Sequence, residues 1–185
     1  MEMTGEQLIP LPQQRVWEAL NDPAILKACI PGCESIEKVS SSEYKVVMTA
    51  AIGPVKAKFH GKLLLADLNP PHSYSIAFEG TGGAAGFGKG AAQVSLLPEG
   101  SATRLTYKAT ASVGGKLAQI GSRLIDGVAK KMSDDFFARF NTTVAPEARD
   151  TIAPAQSAGG SGVSARIWAI GAIIVFLLLL YYFTR

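Results

Sequence analysis

A succession of short stretches with alternating apolar and polar residues, followed by one long amphipathic segment, constrains the fold of this chain most. In the clearest stretch Val55, Phe59 and Leu63 belong to one face, and Lys58 and Lys62 belong to the other. Period-two alternation is typical of a strand with one buried and one solvated face. Stretches at such short spacing, separated by Pro and Gly turns, predict an antiparallel meander. The predicted strands lie near residues 3–11, 44–52, 55–65, 74–78, 91–97 and 104–113.

Two short helices are predicted between the first strand and the rest of the meander. Pro12 begins the first helix, and the second has Asp22 as its N-cap and Pro23 in its first turn. A long helix from about Gly115 to Thr143 closes the domain, because its apolar residues recur at three- and four-residue steps. Such a helix must bury its apolar stripe in the concave face of the sheet. The predicted fold is therefore α+β, a curved antiparallel sheet wrapped around a long C-terminal helix.

This architecture commonly leaves a cavity between the helix and the sheet, and the inward-facing residues would make its lining almost entirely apolar. The alternative interpretation is a close-packed core built from the same residues. The residues predicted to line a ligand-binding cavity are Trp17, Met48, Phe59, Leu63, Phe78, Phe87, Tyr107, Leu117, Ile120, Gly121, Leu124, Val128, Met132 and Phe136.

The segment from Gly80 to Gly90, GTGGAAGFGKG, contains six glycines in eleven residues and partly matches two phosphate-binding motifs. Both motifs need a helix directly after the glycines, because the helix N-terminus supplies the phosphate-binding amides. A strand is predicted here instead, and Gly90 stands where a P-loop has Ser or Thr. We therefore interpret the segment as a hairpin connection. It is also a candidate mobile gate at the cavity mouth, with Phe87 as its apolar tip.

No catalytic or metal-binding constellation is recognisable in the sequence, so no catalytic and no metal residues are predicted. Cys29 and Cys33 are neither a C-x-x-C pair nor spaced as zinc ligands, and we expect free, mainly structural thiols. The inward faces offer few polar groups beyond Tyr44, Tyr74 and Tyr107. An enzyme acting on a hydrophobic substrate is therefore the least favoured of the function classes.

The C-terminal part of the chain has a different composition. Residues 167–183 form a run of 17 without charge or proline, which spans about 26 Å as a helix. We predict a single-pass membrane anchor at 166–185, a flexible Ala/Pro/Gly/Ser linker at 145–165 and a folded ligand-binding domain at 1–144. The N-terminal residues show no export signal, so we expect the domain on the cytoplasmic side of the cell inner membrane. Residues 1–165 carry 16 Lys or Arg and 15 Asp or Glu, a balance that argues against nucleic acid as a partner.

The order W-x-x-L-x-D-P-x-x-L-x-x-C-x-P-G-C, from Trp17 to Cys33, resembles the CoxG-like family of carbon monoxide dehydrogenase subunits. The Gly-rich hairpin and the segment from Val113 to Leu124 before Phe136-Phe137 are similar to that family as well. The resemblance covers about residues 1–144. It implies the START-like (SRPBCC) helix-grip fold.

The resemblance also implies a function. It indicates a non-catalytic, membrane-anchored accessory protein of a molybdenum hydroxylase of the carbon monoxide dehydrogenase type. Such a protein would recruit the enzyme to the membrane lipid and bind a respiratory quinone, menaquinone or ubiquinone, in the cavity, with no covalently bound cofactor. The alternatives are a pure membrane-docking or assembly subunit with a filled core, and a START-like protein that binds another lipid.

Overall fold

The computed structural model describes residues 1–152, in which seven antiparallel strands form one curved sheet. Two short helices follow the first strand, and a long helix closes the described part of the chain. The elements in chain order are β1 (Glu2–Ile9), α1 (Gln13–Leu20), α2 (Pro23–Cys29), β2 (Cys33–Lys38), β3 (Glu43–Ile52), β4 (Val55–Asn69), β5 (Ser73–Thr81), β6 (Phe87–Glu99), β7 (Ala102–Gly114) and α3 (Ser122–Ile152). Short 3₁₀ helices at Gly83–Ala85 and Gly115–Ile120 precede β6 and α3.

The strand order across the sheet is β1-β7-β6-β5-β4-β3-β2, so β1 and β2 lie at opposite edges. Helices α1 and α2 carry the chain from one edge to the other. From β2 onwards each strand pairs with the next one along the chain, until β7 returns to pair with β1. The predicted antiparallel meander is therefore confirmed.

The two short helices begin where the sequence predicts. Helix α1 starts directly after Pro12, and Asp22 caps α2 by accepting a hydrogen bond from the Ala24 amide at 2.7 Å. Pro23 occupies the first helical position, where its missing amide hydrogen leaves no intrahelical bond unmade. These local signals determine where both helices begin, without a contribution from tertiary packing.

The long helix differs from its prediction at both ends. Residues Gly115–Ile120 form a 3₁₀ helix, and Gly121 has a φ of +97°, which an α-helix does not accommodate. Helix α3 therefore begins at Ser122, so the predicted apolar stripe is divided between two elements. At its other end α3 continues through Pro146 to Ile152, beyond the predicted end at Thr143.

The tightly packed core is concentrated at one end of the sheet. The C-terminal half of α3 inserts Phe140 and Val144, both fully buried, against Ile9 and Leu11 and against Leu105 of β7. A smaller cluster around Tyr44 packs under α2 at the far edge of the sheet. The space between these two clusters is less completely filled, and the candidate site lies there.

Within residues 1–152 no helix is long and apolar enough to cross a membrane. The predicted anchor at 166–185 and residues 153–165 of the predicted linker lie outside the described residues. The linker's first residues, 145–152, belong to α3.

Candidate ligand-binding site

Strand alternation divides the sheet side chains into a concave inner face and a convex outer face. On the inner face, Leu63 of β4 lies opposite Phe78 of β5, and Val94 of β6 lies opposite Tyr107 of β7. Several inward side chains, including Phe59 and Phe78, are only half-buried, although α3 covers this face. They retain accessible surface because they border empty space between the sheet and the helices.

The first cavity, of about 340 Å³, lies between the two core clusters. Its wall is formed by the inner faces of the strands, by α1 and α2, and by α3. The side chains are almost all apolar, and the polar groups are tyrosine hydroxyls and one serine. Its lining residues are Met3, Leu20, Leu26, Ile30, Tyr44, Leu63, Leu65, Tyr74, Ile76, Phe78, Ala92, Val94, Leu105, Tyr107, Ala109, Ser133, Phe136 and Phe137.

A second cavity, of about 360 Å³, adjoins the first and shares Ile30, Leu63 and Phe78 with it. It extends toward the β3–β4 hairpin and the 3₁₀ helix that precedes α3. Glu79 is the one charged residue in the lining, and strand alternation directs its side chain to the outer face. The residues that line it are Ile30, Val46, Met48, Ala50, Ile52, Phe59, Gly61, Leu63, Phe78, Glu79, Gly80, Gly88, Val113, Leu117 and Met132.

A row of glycines forms part of the second cavity wall. Gly61 of β4 pairs with Gly80 of β5, which in turn pairs with Gly88 of β6. The row is flanked by Val46 on β3 and Val113 on β7, so three consecutive strands present no side chain to the cavity. We call these three residues the glycine row. Two of them, Gly80 and Gly88, belong to the glycine-rich segment that partly matched two phosphate-binding motifs.

Other glycines accept the aromatic rings that border the cavities. A Cβ on Gly82 would lie 2.6 Å from the Phe59 ring, and a Cβ on Gly90 would lie 2.5 Å from Cζ of Phe78. Gly90 is the direct cross-strand partner of Phe78. A ring lying over a cross-strand glycine recovers packing that the glycine lacks. The glycine-rich segment therefore provides space for the Phe59 and Phe78 rings to pack, in addition to widening the cavity.

Eight of the predicted lining residues border these two cavities. The strands and the two segments after β7 bring them together from distant parts of the chain, as the alternation and the helical spacing predict. They are Met48, Phe59, Leu63, Phe78, Tyr107, Leu117, Met132 and Phe136.

Ile120 and Leu124 belong to neither lining and lie beside the β3–β4 turn. A Cβ on Gly53, in the β3–β4 turn, would lie 2.7 Å from Leu124 Cδ2 and 3.6 Å from Ile120 Cγ2, so both side chains rest on the tip of that hairpin. Leu124 is still 44% exposed. Gly121 supplies the bend between the two helical segments, and Val128 is half-buried and belongs to neither lining.

Trp17 and Phe87 lie outside both linings, for different reasons. Trp17, on α1, packs against the core and presents its ring edge-on to Tyr74, with 5.3 Å between the ring centroids. Phe87 is on the outer face, where it is 48% exposed and covers Gly114, its partner on β7. Its position follows from strand alternation, because Gly88 points inward. The Gly80–Gly90 segment contains a 3₁₀ turn and leads into a strand, which agrees with the hairpin interpretation; its role as a gate stays a prediction.

The lysines of the outer face make exposed ion pairs. Lys58 lies 2.8 Å from Glu34, and Lys62 lies 3.2 Å from Glu43. The Lys58 hydrogen bond lowers the pKa of the Glu34 carboxyl. Exposed pairs of this kind contribute little to stability, so this row is consistent with a solvated strand face.

Neither cysteine is activated. Burial raises the pKa of the Cys29 thiol, which contacts Thr143 Oγ1 at 3.7 Å, and burial also raises the pKa of the Cys33 thiol. A raised pKa disfavours the reactive thiolate at neutral pH. Across residues 1–152, no group of three or more His, Cys, Asp or Glu residues is placed to hold a metal ion.

Solved structures of similar fold share the sheet and the long helix. A conserved protein from Geobacillus kaustophilus is 35% identical, with 80% of this chain and 97% of that chain covered and a TM-score of 0.75. A START superfamily protein from Mycobacterium smegmatis is 11% identical, with 79% and 98% covered and a TM-score of 0.61. The Zhui aromatase/cyclase from Streptomyces sp. R1128 is 13% identical, with 87% of this chain and 99% of that chain covered and a TM-score of 0.59. At this identity the likeness concerns the fold and not the activity. No curated protein matches this chain.

A protein-family comparison agrees with the fold. The model of the CoxG family, which describes a subunit of carbon monoxide dehydrogenase, matches residues 5–145. These residues include nearly all of the sheet, both short helices and most of α3. The apolar cavities therefore occur in a chain that has the START-like fold and belongs to the CoxG family of carbon monoxide dehydrogenase subunits.

Proposed function

We propose that this protein is a membrane-anchored accessory protein that binds a respiratory quinone, menaquinone or ubiquinone, in the two adjoining cavities. In this proposal it serves a molybdenum hydroxylase of the carbon monoxide dehydrogenase type and recruits that enzyme to the membrane. Family membership and fold indicate a ligand-binding accessory protein, as START-like proteins are generally non-catalytic ligand binders. The quinone, the hydroxylase and the anchor are the proposed refinement.

The observation that carries the proposal is the pair of apolar cavities of about 340 and 360 Å³ between sheet and helix. They argue against a docking protein with a filled core, because well-packed interiors contain few voids larger than a water molecule. An elongated apolar ligand suits two neighbouring cavities that have Ile30, Leu63 and Phe78 in common. Burial of an isoprenoid tail is favourable by about 25 cal/mol per Å² relative to water but nearly neutral relative to lipid. Exchange with the membrane would then be easy, as a carrier requires.

The redox chemistry would belong to the quinone and to the cofactors of the partner enzyme. The chain's own residues would hold the quinone in an apolar environment and exclude water from it. The titratable side chains that line the two cavities are three tyrosines and Glu79, and alternation directs the Glu79 side chain to the outer face. The two linings contain no His, Lys or Asp and no inward carboxylate, a composition that favours a binding role over acid–base catalysis.

The test is mass spectrometry of small molecules extracted from the full-length chain after purification from its native membrane. We expect near-stoichiometric quinone in the unmodified protein. Gly88→Leu should lose it, because the new side chain enters the second cavity, where a Cβ at this position meets nothing closer than 3.8 Å. Lys89→Leu is the matched control, because it adds the same side chain to the outer face of the same strand.

The outcomes separate binding from co-purification. Loss of quinone in Gly88→Leu and retention in Lys89→Leu would support the cavity as the binding site. Equal quinone in both variants would mean that the quinone travels with co-purified lipid, and the protein would then be better described as a tether. Another lipid in place of quinone would favour the alternative of a START-like lipid-binding protein.

A further inference from the structure

The first cavity contains three inward-facing tyrosines, and their hydroxyl groups differ in one respect. The Tyr44 hydroxyl donates a hydrogen bond to the Asn21 carbonyl oxygen at 3.2 Å. The Tyr107 hydroxyl is hydrogen-bonded to Ser133 Oγ at 2.7 Å. The Tyr74 hydroxyl has no hydrogen-bond partner among residues 1–152. Two of the three phenols are therefore satisfied by the protein, and the third is not.

Tyr74 is nevertheless held firmly. Its side chain is only 6% exposed, and its ring is fixed by the edge-on contact with Trp17. It lies on β5 opposite Val94 of β6, which also lines the cavity. A buried hydroxyl without a partner is unfavourable, so native proteins usually satisfy such groups. The Tyr74 hydroxyl is therefore a hydrogen-bond donor that the described residues leave unused.

The Tyr74 hydroxyl is also open to the cavity. In the part of the chain that the structure describes, Asn141 Oδ1 is the one fully buried side-chain oxygen without a hydrogen-bond partner. The Tyr74 hydroxyl is unpartnered but not fully buried, so it retains accessible surface, and Tyr74 borders the first cavity. Burial raises the pKa of Tyr74, with a smaller contribution from Tyr44, so this phenol stays neutral and remains a hydrogen-bond donor across the physiological pH range.

The two cavities differ in polarity. The first contains the tyrosine hydroxyls, whereas the second has the glycine row and apolar side chains as its wall. A ligand with one polar end and one apolar end can satisfy both cavities in only one orientation. The polar end would lie in the first cavity, and the apolar end would lie over the glycine row in the second.

We propose that Tyr74 donates a hydrogen bond to a carbonyl oxygen at the polar end of the bound ligand, and that the apolar tail of the ligand lies along the glycine row. The inference rests on the proposed function and adds to it the orientation of the ligand and the residue that recognises its head group. Tyr74 is a binding residue here, and no chemical step is assigned to it.

The test compares two probes that differ in their carbonyl groups. They are 2-methyl-1,4-naphthoquinone and 2-methylnaphthalene, which have the same ring skeleton. Binding to the full-length chain in nanodiscs is measured by equilibrium dialysis. Partition of each probe into the lipid is the same for every variant, so a comparison between variants cancels it.

We expect Tyr74→Phe to weaken binding of the quinone probe about tenfold and to leave binding of the hydrocarbon probe unchanged. Tyr44→Phe and Tyr107→Phe remove hydroxyls that are already hydrogen-bonded within the protein, so each should weaken quinone binding less than Tyr74→Phe does. The infrared carbonyl band of the bound quinone should shift to lower frequency in the unmodified protein. That shift should disappear in Tyr74→Phe.

Three results would overturn the proposal, and they are distinguishable. If neither probe binds the unmodified chain, the proposed function fails and the orientation fails with it. If both probes bind but Tyr74→Phe leaves quinone binding and the carbonyl band unchanged, the cavity stands and the role of Tyr74 is wrong. If Tyr74→Phe weakens both probes equally, the residue shapes the cavity and does not recognise the carbonyl.

Discussion

Two glycines on the same face of β6 should respond oppositely to the same substitution. At position 90 an added Cβ would overlap the Thr110 carbonyl oxygen and lie 2.5 Å from Cζ of Phe78. At position 88 its nearest neighbours would be Val113 Cγ1 at 3.8 Å and the Ser112 carbonyl oxygen at 3.9 Å, which is ordinary contact. Alanine is favoured over glycine in a strand by about 0.5–1 kcal/mol where it fits. Overpacking costs about 1–3 kcal/mol where it does not.

We therefore expect Gly88→Ala to raise the free energy of unfolding by about 0.5 kcal/mol and Gly90→Ala to lower it by about 2 kcal/mol. The second change corresponds to a melting temperature lower by about 4–8 °C in a domain of this size. Urea denaturation of the full-length chain, followed by circular dichroism, measures both values.

The double variant Phe78→Leu with Gly90→Ala separates the two clashes. It should recover the part of the loss that comes from the aromatic ring and leave the part that comes from the Thr110 carbonyl. If Gly90→Ala proves as stable as Gly88→Ala, the packing of the Phe78 ring over Gly90 is incorrect. The assignment of Phe78 as the wall shared by the two cavities would then be lost as well.

Further predictions concern single contacts. Asp22→Ala should destabilise the protein by about 1 kcal/mol in urea denaturation, because the Ala24 amide loses its cap, whereas Asp22→Asn should be nearly neutral. Thr103→Val should cost about 1–3 kcal/mol, because the buried Thr103 hydroxyl donates to the Leu11 carbonyl at 2.7 Å; a loss below about 0.5 kcal/mol would contradict this. Because burial raises the pKa of Cys29, the thiol contributes to stability below its ordinary pKa and this contribution is lost as the pH rises toward the folded-state value. Iodoacetamide should therefore modify Cys29 at about pH 8 far more slowly in the folded than in the urea-unfolded chain.

The fold was predictable because its signals are local. Alternation in β4, the proline and Asp22 at the helix starts, and the Gly53-Pro54 turn each act within a few residues. The bend at Gly121 was not predictable, because an apolar residue every third or fourth position fits a 3₁₀ segment followed by an α-helix as well as one continuous helix. Only the φ of +97° at Gly121 separates the two.

The candidate site was predictable in composition but not in detail. Alternation alone places Met48, Phe59 and Phe78 on the inner face, and these residues border the cavities. The glycine row depends on the pairing register of β4, β5 and β6, which the sequence does not contain. Leu26 and Ile30 were missed because they approach the cavity from α2 and the residue after it, and the order of packing among helices is a tertiary property.

The role of the predicted anchor can be separated from that of the described domain. Removal of residues 166–185 should move the protein from the membrane to the soluble fraction of the cell, because a run of 17 apolar residues is just long enough to cross a bilayer. Replacement of Ile167–Phe183 by a Leu/Ala run of equal length is the matched control and should restore sedimentation with the membrane. Continued sedimentation of the truncated chain would show that another surface of the protein binds the membrane. In that case the surface around Leu124, which is 44% exposed and lies beside the β3–β4 turn, would be the first to test.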